Sequence, residues 1–519
     1  VATRLFQAAH QANSAVEAAT SRRFNLAHVL VGIAMLLLGG VYGAFLAGGF
    51  SPLYLAVIPI GVIGLWMIFA APEYAALMLC GLRWGFIFDS FDRTLRIQSP
   101  AIPLAALLLL VVLARCFGPR RQKLTIDSIS WLLLLYFGWV CLGLWYAQFQ
   151  GPVQVRIVDF AKDVLISLVI MSLITTPLIF ERTVYLMVGI GALFSSLTLF
   201  QEFTQTYDNT YWGLARVKVA IIVEGLADRP RAAGPLGDPN FYGQILLMVL
   251  PLALWLVFNG RHLLARFAGA YTVLAVLAAI AFTYSRGTLV ALLLVAALYF
   301  YFFSLDVRYL LFLIPVAIAA VLLAPPELKA RFGTLTSLTD DSRVEMADFS
   351  FQRRSVEVTM AWYMFLDHPI IGIGADNYRP YYPLYIREFG APVEDVERNA
   401  HSYYLEVAAE HGLIGLSLVG AMIVLGVKRI RQAVRDFRAA GQGRWAEMAT
   451  AYLIGFYGYL ATAVILHGDY PRLLWIHLAL AVGLGQAGRM ALEAAQATPD
   501  AAAGQPSAPP SPAPTPASA

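Results

Sequence analysis

Residues 264–304 read LARFAGAYTVLAVLAAIAF, then TYSR, then GTLVALLLVAALYFYFFS. Two apolar runs are parted by a short polar turn. A helix needs about 20 mainly apolar residues to cross the roughly 30 Å hydrocarbon core of a bilayer. Each run meets that length, so the stretch reads as two membrane-spanning helices joined by a tight turn. The turn holds Arg286 at the membrane edge. A charge there is costly enough to imply a partner or a ligand, and the plain alternative is an arginine that snorkels to water.

Outward from this pair the pattern repeats. Further apolar spans lie at about 240–258 and 307–324, making a close-set group of four. Upstream, spans lie near 26–47, 52–71, 99–116, 128–148, 159–178 and 183–203, with a weaker segment over 73–90 that carries Glu73, Arg83 and Asp89. Downstream, spans lie near 402–426, 448–467 and 471–490. Composition agrees: of 519 residues 59% are hydrophobic and 13% charged, with a mean hydropathy of +0.66. Soluble domains carry about 25% charged residues, so much of this surface faces something other than water. The expected class is an all-α polytopic membrane protein. The net charge of +4 gives no case for a nucleic-acid partner. Cys80, Cys116 and Cys141 lie in or beside apolar runs without metal-ligand spacing, and read as small core residues.

Basic clusters orient the spans, because loops rich in Lys and Arg stay in the cytoplasm. Arg22-Arg23, Arg115 to Lys123, Arg261 to Arg266 and Lys428 to Arg444 fall on one side only if 73–90 also crosses. That gives about fourteen spans with both termini cytoplasmic. The chain then divides into a cytoplasmic head (1–25), N-terminal membrane helices (26–203), an outer loop (204–239), core helices (240–324), a large outer loop with short helices (325–401), C-terminal helices (402–490) and a disordered Ala/Pro/Ser-rich cytoplasmic tail (491–519). The same parity sends the Tyr284-Ser-Arg-Gly287 turn and the His467-Gly-Asp-Tyr-Pro-Arg472 turn to the outer face. The polar chemistry therefore collects on one side.

Three groups there bear reactive side chains. Arg286 is the first. Asp228-Arg-Pro-Arg-Ala-Ala-Gly-Pro-Leu-Gly-Asp-Pro-Asn240 is the second, with Arg229 and Arg231 ahead of Asp238 or Asn240 as a helix cap. Arginine's planar fork suits a diphosphate, and spacing does not choose between Arg229 and Arg231. The third is the large loop with the helix after it: Arg353-Arg354, Glu357, His368, Asp376-Asn377, Arg379, Arg398, Asn399, His401, Glu406 and Glu410. His401 lies at the outer start of a membrane helix, where it could accept a proton near neutral pH. Gly372-Ile-Gly374 reads as a turn that permits close backbone approach. No P-loop, dinucleotide fingerprint or metal motif appears in the sequence.

The YSRG turn, Trp362-Tyr-Met-Phe-Leu-Asp-His-Pro-Ile-Ile-Gly-Ile-Gly-Ala-Asp-Asn-Tyr378, Asn399-Ala-His-Ser-Tyr-Tyr-Leu405 and Glu410-His-Gly-Leu-Ile-Gly415 together resemble the O-antigen ligase and polymerase superfamily of bacterial envelope enzymes. The resemblance covers about residues 229–425. It implies a GT-C-type membrane glycosyltransferase in the bacterial inner membrane, with its active face periplasmic and no metal or cofactor. The implied donor is a glycan on undecaprenyl diphosphate. The implied acceptor is a hydroxyl of lipid A–core or of a growing polysaccharide. On this resemblance Arg286, Arg231 and Arg229 would hold the diphosphate, and His401 would deprotonate or orient the acceptor for an inverting displacement. Asp376, Asn377, Arg379, Asn399 and Tyr403 would contact the sugar or acceptor. A ligase, an exopolysaccharide or O-antigen polymerase, and a protein O-oligosaccharyltransferase share these motifs. A lipid-linked glycan transporter is the reading from another class, and the gathering of charges at one face rather than the midplane weighs against it.

Overall fold

The computed structural model describes residues 63–64, 66–89, 101–117, 127–220, 229–304, 341–388, 398–468 and 471–497. Residues 1–71 form one compact unit and residues 72–519 another. Of the first, residues 66–70 are helical. The expected head over 1–25, the spans at 26–47 and 307–324 and most of that at 52–71 lie outside the described residues.

The second unit is built of helices: α1 (Pro72–Trp84), α2 (Ala101–Phe117), α3 (Ser128–Tyr146), α4 (Gln150–Leu173) and α5 (Pro177–Thr204). Strands β1 (Arg216–Ala220) and β2 (Arg229–Gly234) follow, then α6 (Pro239–Asn259), α7 (Leu263–Phe282) and α8 (Arg286–Phe303). The remaining helices are α9 (Asp341–Asp367), α10 (Tyr378–Glu388), α11 (Tyr403–Ala439), α12 (Gly443–Thr462) and α13 (Arg472–Ala497). Seven of the described helices are long and apolar enough to cross a membrane: α3, α5, α6, α7, α8, α11 and α13.

Local chemistry fixes several starts. Thr176 caps α5 and Pro177 occupies its first position, where the missing N–H costs nothing. Asp238 and Pro239 open α6 in the same way. Ser285 caps α8 by accepting from the Thr288 N–H. The core lies along α6, α12 and α13. The membrane-length window of α6 is 83% buried and that of α13 is 89% buried, whereas that of α8 is only 17% buried. Apolar residues all round a helix mark a buried one, and α6 and α13 sit inside the bundle on this account. Helix α8 packs on α6 and α12 and turns Val290, Leu293 and Leu294 outward.

Contacts sort the turns to the two ends of the bundle. At one end Arg472 clasps both carboxylate oxygens of Asp89 at 2.8 and 2.7 Å, the Tyr403 N–H donates to the Ala463 carbonyl, and Arg231 meets the α7–α8 turn. At the other end Arg444 and Arg261 meet Glu181, and Arg429 meets Asp127 at 2.8 Å. Two of the basic clusters, Arg261 to Arg266 and Lys428 to Arg444, thus meet at one end; Arg22-Arg23 and most of Arg115 to Lys123 lie outside the described residues.

Some expectations change. The segment at 73–90 forms a helix of 13 residues, about 20 Å long. It breaks at Gly85-Phe86, where Phe86 has φ 55°. Its charges are absorbed inside the bundle: Arg83 is 8% exposed and lies 3.1 Å from Asp163 and 3.6 Å from Asp89. Helix α4 starts at Gln150 rather than 159, since Pro152 fits a first turn. The loop at 204–239 holds a two-stranded antiparallel ribbon, β1 with β2, so the chain is not wholly α-helical. The large loop carries a 27-residue helix, α9, as well as the short α10. Helix α13 runs to Ala497, so the tail boundary at 491 falls inside a helix.

Candidate functional site

The α7–α8 turn is built to present Arg286. Tyr284 takes a left-handed conformation at φ 50° and ends α7. Ser285 then caps α8 and donates its hydroxyl to Asn240 Oδ1 at 2.7 Å. Asn240 sits in the first turn of α6, where Asp238 accepts from its N–H at 2.8 Å. Gly287 follows because α8 presses against the turn after α12 there: a Cβ at this position would strike the Ile465 side chain. Arg286 is thus the first residue of a helix pinned on two sides.

Arg231 arrives from β2. Its backbone pairs with Lys218 of β1, and its Nε donates to the Thr283 carbonyl at 2.9 Å, at the root of the same turn. The side chain is 7% exposed, and its Nη2 is buried without a hydrogen-bond partner. Leaving a buried donor unmet costs about 1–3 kcal/mol, more for a charged group. Burial pushes the Arg231 guanidinium down to about 10; the charge of Asp238 opposes this, and those of Arg354 and Arg286 add to it. The ribbon brings Arg231 to the turn; the Arg229 backbone pairs with Ala220, and its side chain lies outside the described residues.

His401 lies just before α11, at φ 48°. Its Nε2 is 3.4 Å from Glu357 Oε2, and Glu357 is 2% exposed on α9. Tyr378 fixes the register between these elements. Its hydroxyl donates to the Glu357 carbonyl at 2.6 Å, and its N–H donates to Glu410 Oε1 on α11 at 3.1 Å. The His467 ring stands edge-on to His401, centroids 5.3 Å apart, and edge-on to Phe241 at 4.9 Å. Glu406 holds that turn by accepting from the Gly468 N–H at 3.0 Å. Burial first, then the charges of His467 and Arg354, hold the His401 imidazole down to about 4. The ring is therefore neutral at pH 7, the form that can take up a proton.

The Asp367–Tyr378 stretch locks the large loop onto α11. The helix breaks at Gly412, with φ 62° and ψ −165°. Backbone from 369–374 fills the break: Ile373 N donates to Ala409 O, Gly374 N to Glu410 O, and Leu413 N to Pro369 O, at 2.8–3.0 Å. A Cβ on Gly372 would overlap the Glu410 backbone, and one on Gly412 would overlap Ile370. Gly372 does allow close backbone approach, against α11.

The site residues expected from sequence divide. Arg231, Arg286 and His401 come to one end of the bundle with Glu357 and His467. Asn399 and Tyr403 flank His401 in sequence; Tyr403 is 8% exposed and its N–H is bonded to Ala463. Asp376 and Asn377 lie beside Glu410, nine positions and about 14 Å along α11 from His401. Asn377 departs from its expected sugar contact. It is 0% exposed, its amide donates to the Phe149 and Ala375 carbonyls, and its Oδ1 accepts from the Phe149 N–H, so it ties the loop to the α3–α4 junction. Arg379 lies in the first turn of α10, half-buried. Glu357, His467 and Arg354 are the site residues that sequence could not rank, since their partners lie far along the chain. Among the described residues no cluster of three His, Cys, Asp or Glu side chains is placed to hold a metal ion.

No curated protein matches the sequence. A family model described as O-Antigen ligase matches residues 270–420, a span that begins in α7, takes in the Arg286 turn and α9, and ends beyond His401 in α11. Over those residues the chain is similar to the O-antigen ligase family.

Proposed function

We propose that the chain transfers a glycan from undecaprenyl diphosphate to an acceptor hydroxyl, of lipid A–core or of a growing polysaccharide, at the periplasmic face of the inner membrane. The observation that carries this reading is the buried, unmet Nη2 of Arg231 beside the helix-start Arg286, with a neutral histidine on a buried carboxylate at the same end of the bundle. A membrane-edge diphosphate would meet the first pair, and an acceptor hydroxyl would meet the second.

The chemistry follows from these roles. His401 takes the acceptor's proton as its oxygen attacks the anomeric carbon, and Glu357 steadies the ring and the charge it gains. The bond from the anomeric carbon to the diphosphate oxygen breaks, and its electron pair leaves with the diphosphate. Arg231 and Arg286 stabilise that growing charge, which is larger in the transition state than in the bound donor. Attack from the face opposite the leaving group inverts the anomeric centre. Asp376, Arg379 and Asn399 keep a proposed part in sugar contact.

The test is transfer by the purified protein in nanodiscs, with a defined undecaprenyl-diphosphate oligosaccharide and candidate acceptors. The product should carry the inverted linkage, and its identity separates ligase from polymerase. Movement of the lipid-linked donor across the membrane without a new glycosidic bond would instead support transport.

A further inference from the structure

Arg354 lies one turn before Glu357 on α9. Residues three apart on a helix share a face, so the turn that sets Glu357 against His401 also carries Arg354 to this end of the bundle. Its charge acts on Arg231, on Arg286 and on His401. Among the described residues, none of Arg231, Arg286 and Arg354 makes an ion pair with a carboxylate. Asp238, the nearest acid to the ribbon, is engaged by Lys218 at 3.1 Å and by the cap of α6. Three guanidinium groups from β2, α8 and α9 therefore share one region without an ion-paired carboxylate among the described residues, Asp238 acting on Arg231 only through its charge, and one of them holds a buried N–H with no acceptor. Like charges repel, and a ligand carrying two or more negative charges relieves all three at once.

We infer that Arg354 is a third diphosphate-binding residue, supplied by the large loop, and that it links donor binding to the Glu357–His401 pair on the neighbouring turn. This rests on the diphosphate-donor reading above. It makes α9 part of the donor site rather than a cover over the acceptor alone. Gripped by Arg354, the diphosphate holds α9 in the register that keeps Glu357 against His401.

The experiment compares the wild-type full chain with Arg354→Ala, Arg354→Lys and Arg354→Gln in nanodiscs. Undecaprenyl diphosphate and undecaprenyl monophosphate serve as probes, and transfer is followed against pH. A charge-assisted contact is about twice as strong as a neutral one. Arg354→Ala and Arg354→Gln should therefore weaken diphosphate binding by roughly tenfold or more, and monophosphate binding less, while Arg354→Lys keeps part of the preference. Losing a neighbouring cation should also shift the acid limb of transfer to higher pH in Arg354→Ala, because His401 then protonates more readily. That shift is one that a merely structural role would not produce. Wild-type preference for the diphosphate retained in full by Arg354→Ala, with an unmoved acid limb, overturns the proposal while leaving the donor reading intact. A wild type that binds neither lipid overturns the donor reading, and this inference with it.

Discussion

Two arginines at opposite ends of the bundle, Arg444 and Arg231, are held in different ways. Arg444, at one end, donates to Glu181 at 2.8 Å, to the Tyr185 hydroxyl at 3.0 Å and to the Asn259 carbonyl at 2.8 Å, and stacks over Trp255. Glu181 is 2% exposed and receives Trp445 as well. Arg231, at the other end, has one backbone acceptor and a buried N–H that meets nothing. An arginine saturated by a carboxylate, as Arg444 is by Glu181 with its Nη1 2.8 Å from Oε2, holds a fold together. An unsaturated one, kept in place by a cap, a ribbon and close packing, is held ready for something else. The Arg444 side chain is 26% exposed and Arg231 only 7%, so the arginine with fewer acceptors is also the more deeply buried.

Mutation can break or sharpen this contrast. The largest effects should fall on chemistry at the unsaturated end. Arg286→Ala and His401→Ala should each cut transfer by about 100-fold or more, with thermal unfolding in nanodiscs close to wild type. Full transfer in either variant removes that residue from the mechanism. Next in size is the saturated end. Arg444→Ala strands the Glu181 carboxylate and should cost roughly 3 kcal/mol of stability, the low end for a broken buried pair because Arg261 and Trp445 remain. Its transfer per folded molecule should stay near wild type. A normal melt with lost transfer would reverse the assignment of the two ends.

Gly412→Ala tests the joint between the large loop and α11. It puts a Cβ at φ 62°, which costs about 1–2 kcal/mol, and drives it into Ile370. Both the melting temperature and the transfer rate should fall together, because the loop carries Glu357 and α11 follows His401. A variant with a lower melt and unchanged transfer would show that this joint does not position the histidine.

The smallest effect concerns pH. An ordinary histidine titrates near 6.5, but His401 is held down to about 4 by burial and neighbouring cations. The neutral base is therefore kept as pH falls through 6, and transfer should be lost only toward pH 4. A rate that halves near pH 6.5 would indicate that His401 is not the titrating group.

How much of this was legible beforehand depended on distance along the chain. The Tyr284-Ser-Arg-Gly287 turn could be read directly, because its cap and its charge are local to one helix hairpin. Gly372 could be read as a close-approach turn, since glycine there has a backbone reason. His401 stood out by position alone, at the mouth of a membrane helix. The pairing of His401 with Glu357 could not be read, because it depends on Tyr378 bridging α9 and α11. Asn377 was misread for the same kind of reason: a polar residue in a polar loop gives no sign that the Phe149 backbone will bury it. The β-ribbon escaped notice because Arg216–Ala220 alternates charged and apolar residues over only five positions, a short run beside long apolar spans. Yet the ribbon is what brings Arg231 to the α7–α8 turn.

The most direct measurement compares wild type with Arg231→Ala in nanodiscs, using an undecaprenyl-diphosphate oligosaccharide and an acceptor that wild type uses. Circular dichroism melts on the same samples check the fold. The account predicts a folded Arg231→Ala protein with transfer reduced by about 100-fold or more. A folded Arg231→Ala protein that transfers the glycan at the wild-type rate would contradict it.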